Sequence, residues 1–434
     1  LKTYQTEKKQ QSLQVVLSAL EARNLATPQI STLQNVDARV NDIFENFLDV
    51  ACVPEARAKL KLYRQDAVGF EKEVLAEWTK KARPDKIKSM LKELLTAIKA
   101  LEEYPVDEFD MMVKTDGKPP LSAKPIKQQV SSHLIVYHRG VLSAAFSSIF
   151  RVLTRRFLSL LKPEWMVNLL KDNEAVREHL SAYYPWGTTP EFLENDYGKF
   201  DKSQSELCVR LDEFVDGQLG MSEDLLRRWY AGHETSVLHS AQHALTVWID
   251  WQRRSGGGNT SYGNVKINIL STAYVYRASD VICAVYIGDD SLLVCRKVCA
   301  DKSAVQMLGD VFNLEAKFLV TGHPYFASNF LLFDEGQRQA LLVPDPIKRA
   351  QRLGVSVNAK DPQWEDKIRS IHEAFEPYKH RRVQKMLEPA VRARYGLPDE
   401  SSVSAFLNAL ATAAESQETT RDCWEANTSL VYTF

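Results

Sequence analysis

The chain has 434 residues, with 44% hydrophobic and 26% charged side chains and only 18 Gly and 17 Pro. At roughly 150 residues per domain this makes about three domain-sized units, and the profile excludes a disordered, fibrous or small disulfide-stapled protein. Lys and Arg total 55 against 56 Asp and Glu, a formal net charge of -1, so the overall balance gives no reason to expect a nucleic-acid partner.

The chain begins at Leu1 with no basic-then-apolar leader, as a piece cut from a longer polypeptide would. Leu13, Val16, Leu17 and Leu20 share one helical face, as do Ile87, Met90, Leu91, Leu94, Ile98 and Leu101 before Pro105 stops that second helix. From Lys114 to Leu134 the sequence turns irregular and rich in Pro and Lys, which predicts strands and loops. The run from Leu153 to Leu161 is broken by Arg155 and Arg156, and the Phe326–Phe333 run is short, so no membrane span is expected. An extended segment around Asp196 leads into Ser203-x-x-Glu206, a capping box that opens an amphipathic helix through Leu207, Leu211, Phe214 and Val215. Val281–Ile287 and Ser291–Cys295 are β-rich runs joined at Gly288-Asp289, the signature of a tight hairpin with Asp289 and Asp290 at or beside its tip. From Asp345 onward helical spacing dominates, with a basic stretch through His380, Arg381, Arg382 and Lys385, which predicts a separate helical subdomain. The six cysteines fall in no CxxC or Cys/His pattern, so neither zinc nor a disulfide framework is expected and a reduced, cytosolic setting fits best.

Three carboxylates stand out: Asp196 at a strand end and the pair Asp289 and Asp290 at a turn. Hard oxygen ligands so placed can hold Mg²⁺ or Mn²⁺ against phosphates. A Gly-Asp-Asp triplet alone is weak evidence, arising roughly once in fifteen chains of this length. It does not stand alone. Upstream lie Asp196-Tyr-Gly-Lys-Phe-Asp201-Lys-Ser-Gln and then Ser255-Gly-Gly-Gly-Asn-Thr260-Ser-Tyr-Gly-Asn264, followed by Gly288-Asp289-Asp290-Ser-Leu. In this order and spacing the three resemble the A, B and C motifs of viral RNA-dependent RNA polymerases, most closely those of the alphavirus-like supergroup: bromoviruses, tobamoviruses and closteroviruses. Lys114-Thr-Asp-Gly-Lys118 and Val136-Tyr-His-Arg139 resemble the basic F motif, and Phe312-Asn-Leu-Glu-Ala-Lys317 the D motif. The likeness runs from about Gln10 to Phe333; beyond it only a generic helical thumb is recognisable. The Gly256–Gly258 run departs from relatives, which carry bulkier residues there.

The resemblance implies an α+β right-hand polymerase with a small antiparallel palm sheet and mainly helical fingers and thumb. Its parts would be fingers over 1–185, palm over 186–215 with motif A, a fingers insertion over 216–254, palm over 255–340 with motifs B to E, and thumb over 341–434. It implies template-directed RNA synthesis from nucleoside triphosphates with two Mg²⁺ or Mn²⁺ ions, because attack by a 3′-hydroxyl on an α-phosphate charges both the entering and the leaving oxygen. Asp196 and Asp289 would be the main metal ligands, with Asp290 ligating or supporting. Asp201 and Asn264 would read the ribose 2′-hydroxyl, Ser255 and Thr260 would complete that pocket or support the template, and Gly256, Gly257 and Gly258 would let backbone approach RNA. Lys114, Lys118 and Arg139 would neutralise the triphosphate, and Lys317 would protonate the leaving pyrophosphate. His233, His239 and His243 read as helix or template-contact residues and not as ligands. The implied partners are template and nascent RNA, nucleoside triphosphates, viral methyltransferase and helicase proteins and host factors, at membrane-associated complexes in the host cytoplasm. Two rivals are a reverse transcriptase, against which the Asp201 and Asn264 pair speaks, and a non-catalytic RNA-binding scaffold.

The near-zero net charge hides a strong segregation. Between Lys114 and Lys162 nine Lys and Arg face one acid; between Trp186 and Asp224 ten acids face three bases; between Asp345 and Leu397 twelve bases face seven acids. Such alternation predicts basic walls around an acidic floor.

Overall fold

The computed structural model describes residues 11–69, 76, 80, 105–114, 132–138, 140–169, 172–353 and 364–428. The helix expected over Ile87–Leu101, together with Lys118 and Arg139, lies outside the described residues. The chain is a mixed α+β protein built on three small sheets.

The N-terminal third supplies helices α1 (Leu13–Leu20), α2 (Val36–Ala51) and α3 (Ala56–Gln65). The first two start where a side chain takes up a free backbone N–H, Ser12 for α1 and Asn35 for α2. Strands β1 (Glu108–Val113) and β2 (Leu134–Tyr137) follow, then α4 (Gly140–Leu158), β3 (Trp165–Val167) and α5 (Asn173–Tyr183). The middle of the chain contributes β4 (Glu191–Tyr197), the short α6 (Phe200–Ser203), α7 (Glu206–Gln218), α8 (Glu223–Glu234), β5 (Thr235–Ser240), β6 (Leu245–Asp250) and α9 (Thr260–Val275). Next come β7 (Val281–Ile287), β8 (Asp290–Cys295), α10 (Lys302–Phe312), β9 (Ala316–Thr321), β10 (Tyr325–Phe326), β11 (Asn329–Asp334) and β12 (Gln339–Pro344). The C-terminal part is helical, with α11 (Pro346–Leu353), α12 (Trp364–Phe375), α13 (Arg381–Tyr395), α14 (Glu400–Ala413) and α15 (Gln417–Thr428). Among the described residues no helix is long and apolar enough to cross a membrane.

The central sheet has the order β3-β7-β8-β4-β9. It is mixed, not antiparallel throughout as expected, because β3 joins the edge parallel to β7 while the other pairs are antiparallel. Side chains alternate between its two faces. Ala284, Tyr286, Leu293 and Cys295 enter the main core, whereas Cys283, Val285, Leu292 and Val294 meet Val176 and Leu180 of α5 on the other side. Covered on both faces, these strands read as apolar runs.

Helix α9 passes through the main core and is buried almost continuously from Tyr262 to Ala273. Around it pack Phe44 and Phe47 of α2 and Phe146, Phe150 and Phe157 of α4, with Trp229 of α8. Phe47 stacks on Phe157 at 5.5 Å between ring centres. Each fully buried ring of this kind contributes about 1.5–3 kcal/mol.

A second sheet, β2-β1-β5-β6, joins a segment near residue 110 to one near residue 240 and is covered by Val16, Ala19 and Leu20 of α1. The third, β10-β11-β12, packs with α11 to α15, where Phe330 and Val343 meet Ile368, Phe375 and Leu387. One local expectation fails: Ser203 caps nothing. Its hydroxyl donates back to the Gly198 and Lys199 carbonyls, and the N-cap of α7 is Ser205. Lys199 in the left-handed region turns the chain so sharply after β4 that the short α6 fits in between, and the cap moves two residues on.

Candidate active site

The hairpin forms as its sequence requires. Ile287 pairs with Asp290, leaving Gly288 and Asp289 as a two-residue loop. Gly288 has φ +60 while Asp289 does not enter the positive-φ region, the pattern of a type II′ turn with glycine first. From α9, the Asn268 amide donates to the Gly288 carbonyl at 3.3 Å and to that of Asp289 at 3.0 Å, tying the turn to the core. β4 runs beside β8, with Asn195 opposite Ser291 and their side chains bonded at 2.8 Å. Asp196, the next residue, therefore emerges at the end of the sheet where the hairpin turns. Asp196, Asp289 and Asp290 are exposed.

These carboxylates act on one another. The surrounding chain desolvates Asp289, and with Asp201 and Asp196 nearby its carboxyl lies above the usual range. Asp290 is pushed up to about 6 by desolvation, by Asp289 and by Asp196, against the pull of Lys348 and Arg394. Like charges held together in this way fit a divalent cation, which removes the repulsion. All the donors are hard carboxylate oxygens, the set that suits Mg²⁺ or Mn²⁺. Among the described residues no three ligating side chains converge on one point.

Lys317 stands on β9 directly across from Asp196, so both side chains leave the same face. Asp201 opens α6, with Arg23 at 4.0 Å and Lys202 at 3.5 Å. Lys202 is buried, which pushes its amine down to about 8, and it donates to the Arg253 carbonyl at 3.1 Å. Asn264 sits half-buried in the first turn of α9 and accepts from Gln204 at 2.9 Å.

Several sequence candidates have their polar atoms engaged elsewhere. The Ser255 hydroxyl donates to Leu134 O at 3.1 Å and accepts from Val136 N at 3.2 Å, so it extends β2. Thr260 Oγ1 donates to Arg254 O and Gly257 O at 2.6 and 2.9 Å, shaping the glycine loop. Gly256 lies against the same strand, where an added Cβ would come within 2.8 Å of Val136 O, so its close approach is to β2. Gly258 lies near Ser147 of α4 and Gly257 near Arg254 O. Lys114 is exposed at the end of β1, its amide bonded to His133 O at 2.8 Å. His233 is buried and bonded to Trp229 O at 2.9 Å, and His239 contacts Thr246 at 3.2 Å.

The segmental charges are also partly spent on the fold. In the basic stretch Arg156 binds Asp66, Tyr63 O and Leu219 O, and Lys162 binds Val50 O. From the C-terminal helices, Lys348 and Arg394 act on Asp290; Arg394 also pairs with Glu194 at 3.1 Å and lies 3.5 Å over the Tyr325 ring. Sequence reasoning missed Arg23, Asn268 and Asn313. The last holds the N-terminal segment against the core by bonding Ile30 N, Pro28 O and Ser203 O, each at 2.8 Å. Arg23 and Asn268 carried no local signal, because each acts on chain far away in sequence; Asn313 lies inside the Phe312–Lys317 motif, which by itself gave it no role.

The sequence pattern of the RNA dependent RNA polymerase family matches residues 1–422, so the likeness extends well past Phe333 into the C-terminal helices. The chain is 29% identical over 364 residues to RNA-directed RNA polymerase 2a of Cowpea chlorotic mottle virus, covering 83% of this chain and 42% of that protein. It is 27% identical over 374 residues to replicase polyprotein 1ab of Grapevine leafroll-associated virus 3, covering 85% and 13%. With RNA-directed RNA polymerase 2a of Tomato aspermy virus it shares 31% over 267 residues, covering 62% and 31%. The chain thus spans less than half the length of these relatives. A match of one family pattern over nearly every residue, together with relatives among viral polymerases and replicases, shows that the chain belongs to the RNA-dependent RNA polymerase family of the alphavirus-like viruses.

Proposed function

We propose that this chain is the polymerase core of a viral replicase and extends an RNA 3′ end on an RNA template, releasing pyrophosphate. The observation that carries this reading is the placement of Asp196 and the Asp289 and Asp290 turn at one end of one sheet, where Asp196 raises the proton affinity of both turn carboxyls. Asp196 and Asp289 would hold two Mg²⁺ or Mn²⁺ ions with help from Asp290. Such ions, when bound, stabilise charge on the entering and leaving oxygens.

The chain's own groups supply the remainder. Asp201 and Asn264 orient the ribose of the incoming nucleotide, Lys317 holds a proton at Nζ for the departing pyrophosphate, and Lys114, Lys118 and Arg139 meet the triphosphate. Ser255, Thr260 and the Gly256–Gly258 loop support the template side. Fingers would comprise 1–185 and 216–254, palm 186–215 and 255–340, and thumb 341–434. That two distant segments, β1 with β2 and β5 with β6, build one sheet supports treating them as one unit.

Template RNA, nascent RNA and nucleoside triphosphates are the proposed ligands. Methyltransferase and helicase modules and host factors, at a membrane-associated complex in the host cytoplasm, are the proposed company; the relative from Grapevine leafroll-associated virus 3 is itself a replicase polyprotein of which this chain matches a part. The test is primer extension on an RNA template with Mg²⁺, comparing the parent with Asp289→Ala. Extension by the parent alone supports the metal role, and equal extension by both sinks it.

A further inference from the structure

Asn264 receives a hydrogen bond whose direction is fixed by the buried residues behind it. Arg253 Nη2 donates to Asp212, and Arg253 Nε donates to Gln204 Oε1 at 2.5 Å. A guanidinium carries donors only, so the Gln204 side chain must turn its oxygen toward Arg253 and its NH₂ group toward Asn264. Gln204 Nε2 then donates to Asn264 Oδ1 at 2.9 Å. With its oxygen turned to Gln204, Asn264 keeps its NH₂ group as a free donor, which makes no hydrogen bond among the described residues, beside one remaining lone pair on the engaged oxygen.

The chain of bonds is rigidly seated. Gln204, Arg253 and Asp212 are 1%, 3% and 2% exposed. Asp212 is also paired with Lys266 at 3.2 Å. Gly263, the neighbour of Asn264, makes room for the guanidinium, because a Cβ at that position would lie 2.0 Å from Arg253 Nη1. Gln204 follows Asp201 by three residues, so the same turn of chain that presents a carboxylate acceptor also dictates a donor at Asn264.

We infer that Gln204, oriented by Arg253 and Asp212, is a positioning residue that fixes the polarity of Asn264 and thereby the preference for ribonucleotides over deoxyribonucleotides. The inference rests on the proposed reading of the ribose by Asp201 and Asn264. A hydroxyl that donates to Asp201 and accepts from the Asn264 NH₂ satisfies both; a 2′-deoxy sugar satisfies neither and leaves polar groups without partners.

Single-nucleotide addition to an RNA primer, measured as kcat and KM for an NTP and the matching dNTP, tests this with Gln204→Glu, Gln204→Met, Asn264→Ala and the Gln204→Glu/Asn264→Ala double variant of the full chain. Gln204→Glu keeps an acceptor for Arg253 but cannot donate to Asn264, so it removes the polarity while keeping the anchor. It is expected to melt close to the parent and to lower the NTP/dNTP ratio of kcat/KM about tenfold, one good hydrogen bond's worth, through a raised KM for the NTP with dNTP values unchanged. Gln204→Met, near in size and without polar atoms, gives the same loss, and the double variant falls no further than Asn264→Ala. If Asn264→Ala collapses the ratio while both Gln204 variants keep it, the ribose reading stands and the positioning role is wrong. If the Gln204 variants weaken NTP and dNTP equally and add to Asn264→Ala, Gln204 only supports the fold and the inference is likewise overturned. If Asn264→Ala leaves the ratio untouched, the ribose reading itself fails and the inference goes with it.

Discussion

Two sets of carboxylates from one acidic stretch and its neighbouring hairpin end in opposite electrostatic settings. Asp212 and Asp216 stand one turn apart on α7, at 2% and 0% exposure. They are met by two cations, Arg253 and Lys266, and Asp216 also receives the Tyr230 and Tyr262 hydroxyls at 2.5 and 2.8 Å. Asp196, Asp289 and Asp290 are exposed and make no ion pair among the described residues. The first set is neutral within itself and holds α7, α8 and α9 together. The second carries unbalanced charge at a sheet end. Counting acids therefore does not separate the two sets; asking which acids are held in ion pairs does.

The contrast is sharpest in what each set does when broken. Asp289→Ala is expected to cut extension by roughly 10³-fold or more, the scale of several kcal/mol of lost charge stabilisation, while the melting temperature holds or rises because a self-repelling charge has gone. Asp216→Ala is expected to do the reverse. It leaves Lys266 buried without its nearest partner and should cost about 3–5 kcal/mol of stability in urea unfolding. Adding Lys266→Met should restore much of that loss, since removing a buried pair is far cheaper than orphaning one member. A stable, inactive Asp216→Ala would erase the distinction between the two sets.

How far this distinction was legible in the sequence depends on the range of the interactions. The Gly288-Asp289 turn was readable because its conformation is set by the residues that compose it. Asp196 was readable because strand, turn and motif agree within a few residues. The spacing of Asp212 and Asp216 places them on one helical face, but nothing local says that Arg253, 41 residues from Asp212, will neutralise that face. Counted as part of an acidic floor, both belong to the core. Arg156 and Lys162 likewise count toward a basic wall in sequence, yet carbonyls and Asp66 occupy them in the fold. The misplaced cap at Ser203 and the parallel edge strand β3 have the same origin, since each was settled by a tertiary contact that local pattern does not encode.

Protons probe what burial without a counter-charge costs at the edge of the second sheet, just past β2. His138 is 1% exposed, bonded through Nε2 to Val106 O at 2.8 Å, with Phe109 and Trp229 against the ring and the buried cation Arg254 nearby. Burial and that cation push its imidazole down to about 4. An unfolded histidine protonates near 6.5, so the unfolded state takes up the proton first as pH falls. Stability from the neutral ring is full above about 6.5 and drains away toward pH 4, by roughly 3 kcal/mol. Urea midpoints of the parent and His138→Gln across this range measure it; parallel curves would show that His138 contributes nothing to acid sensitivity.

The smallest expected effect lies where the two sets meet, on α9. Its residues Tyr262 and Lys266 face the buried acids, while Asn264 and Asn268, also four apart, reach toward Gln204 and the hairpin turn. One helix thus carries both the neutralised cluster and the tether of the unbalanced one. Asn268→Ala removes two donors from the turn carbonyls, which water can reach only in part, and should cost about 1–2 kcal/mol of stability. Its effect on extension should be larger than that stability loss suggests, about tenfold, because Asp289 then loses the anchor that sets its backbone. Tyr262→Phe on the opposite face should cost a similar amount of stability and leave extension unchanged. Equal losses of activity from both substitutions would mean that α9 acts on the turn only as a rigid rod, and that its two faces do not divide support from chemistry.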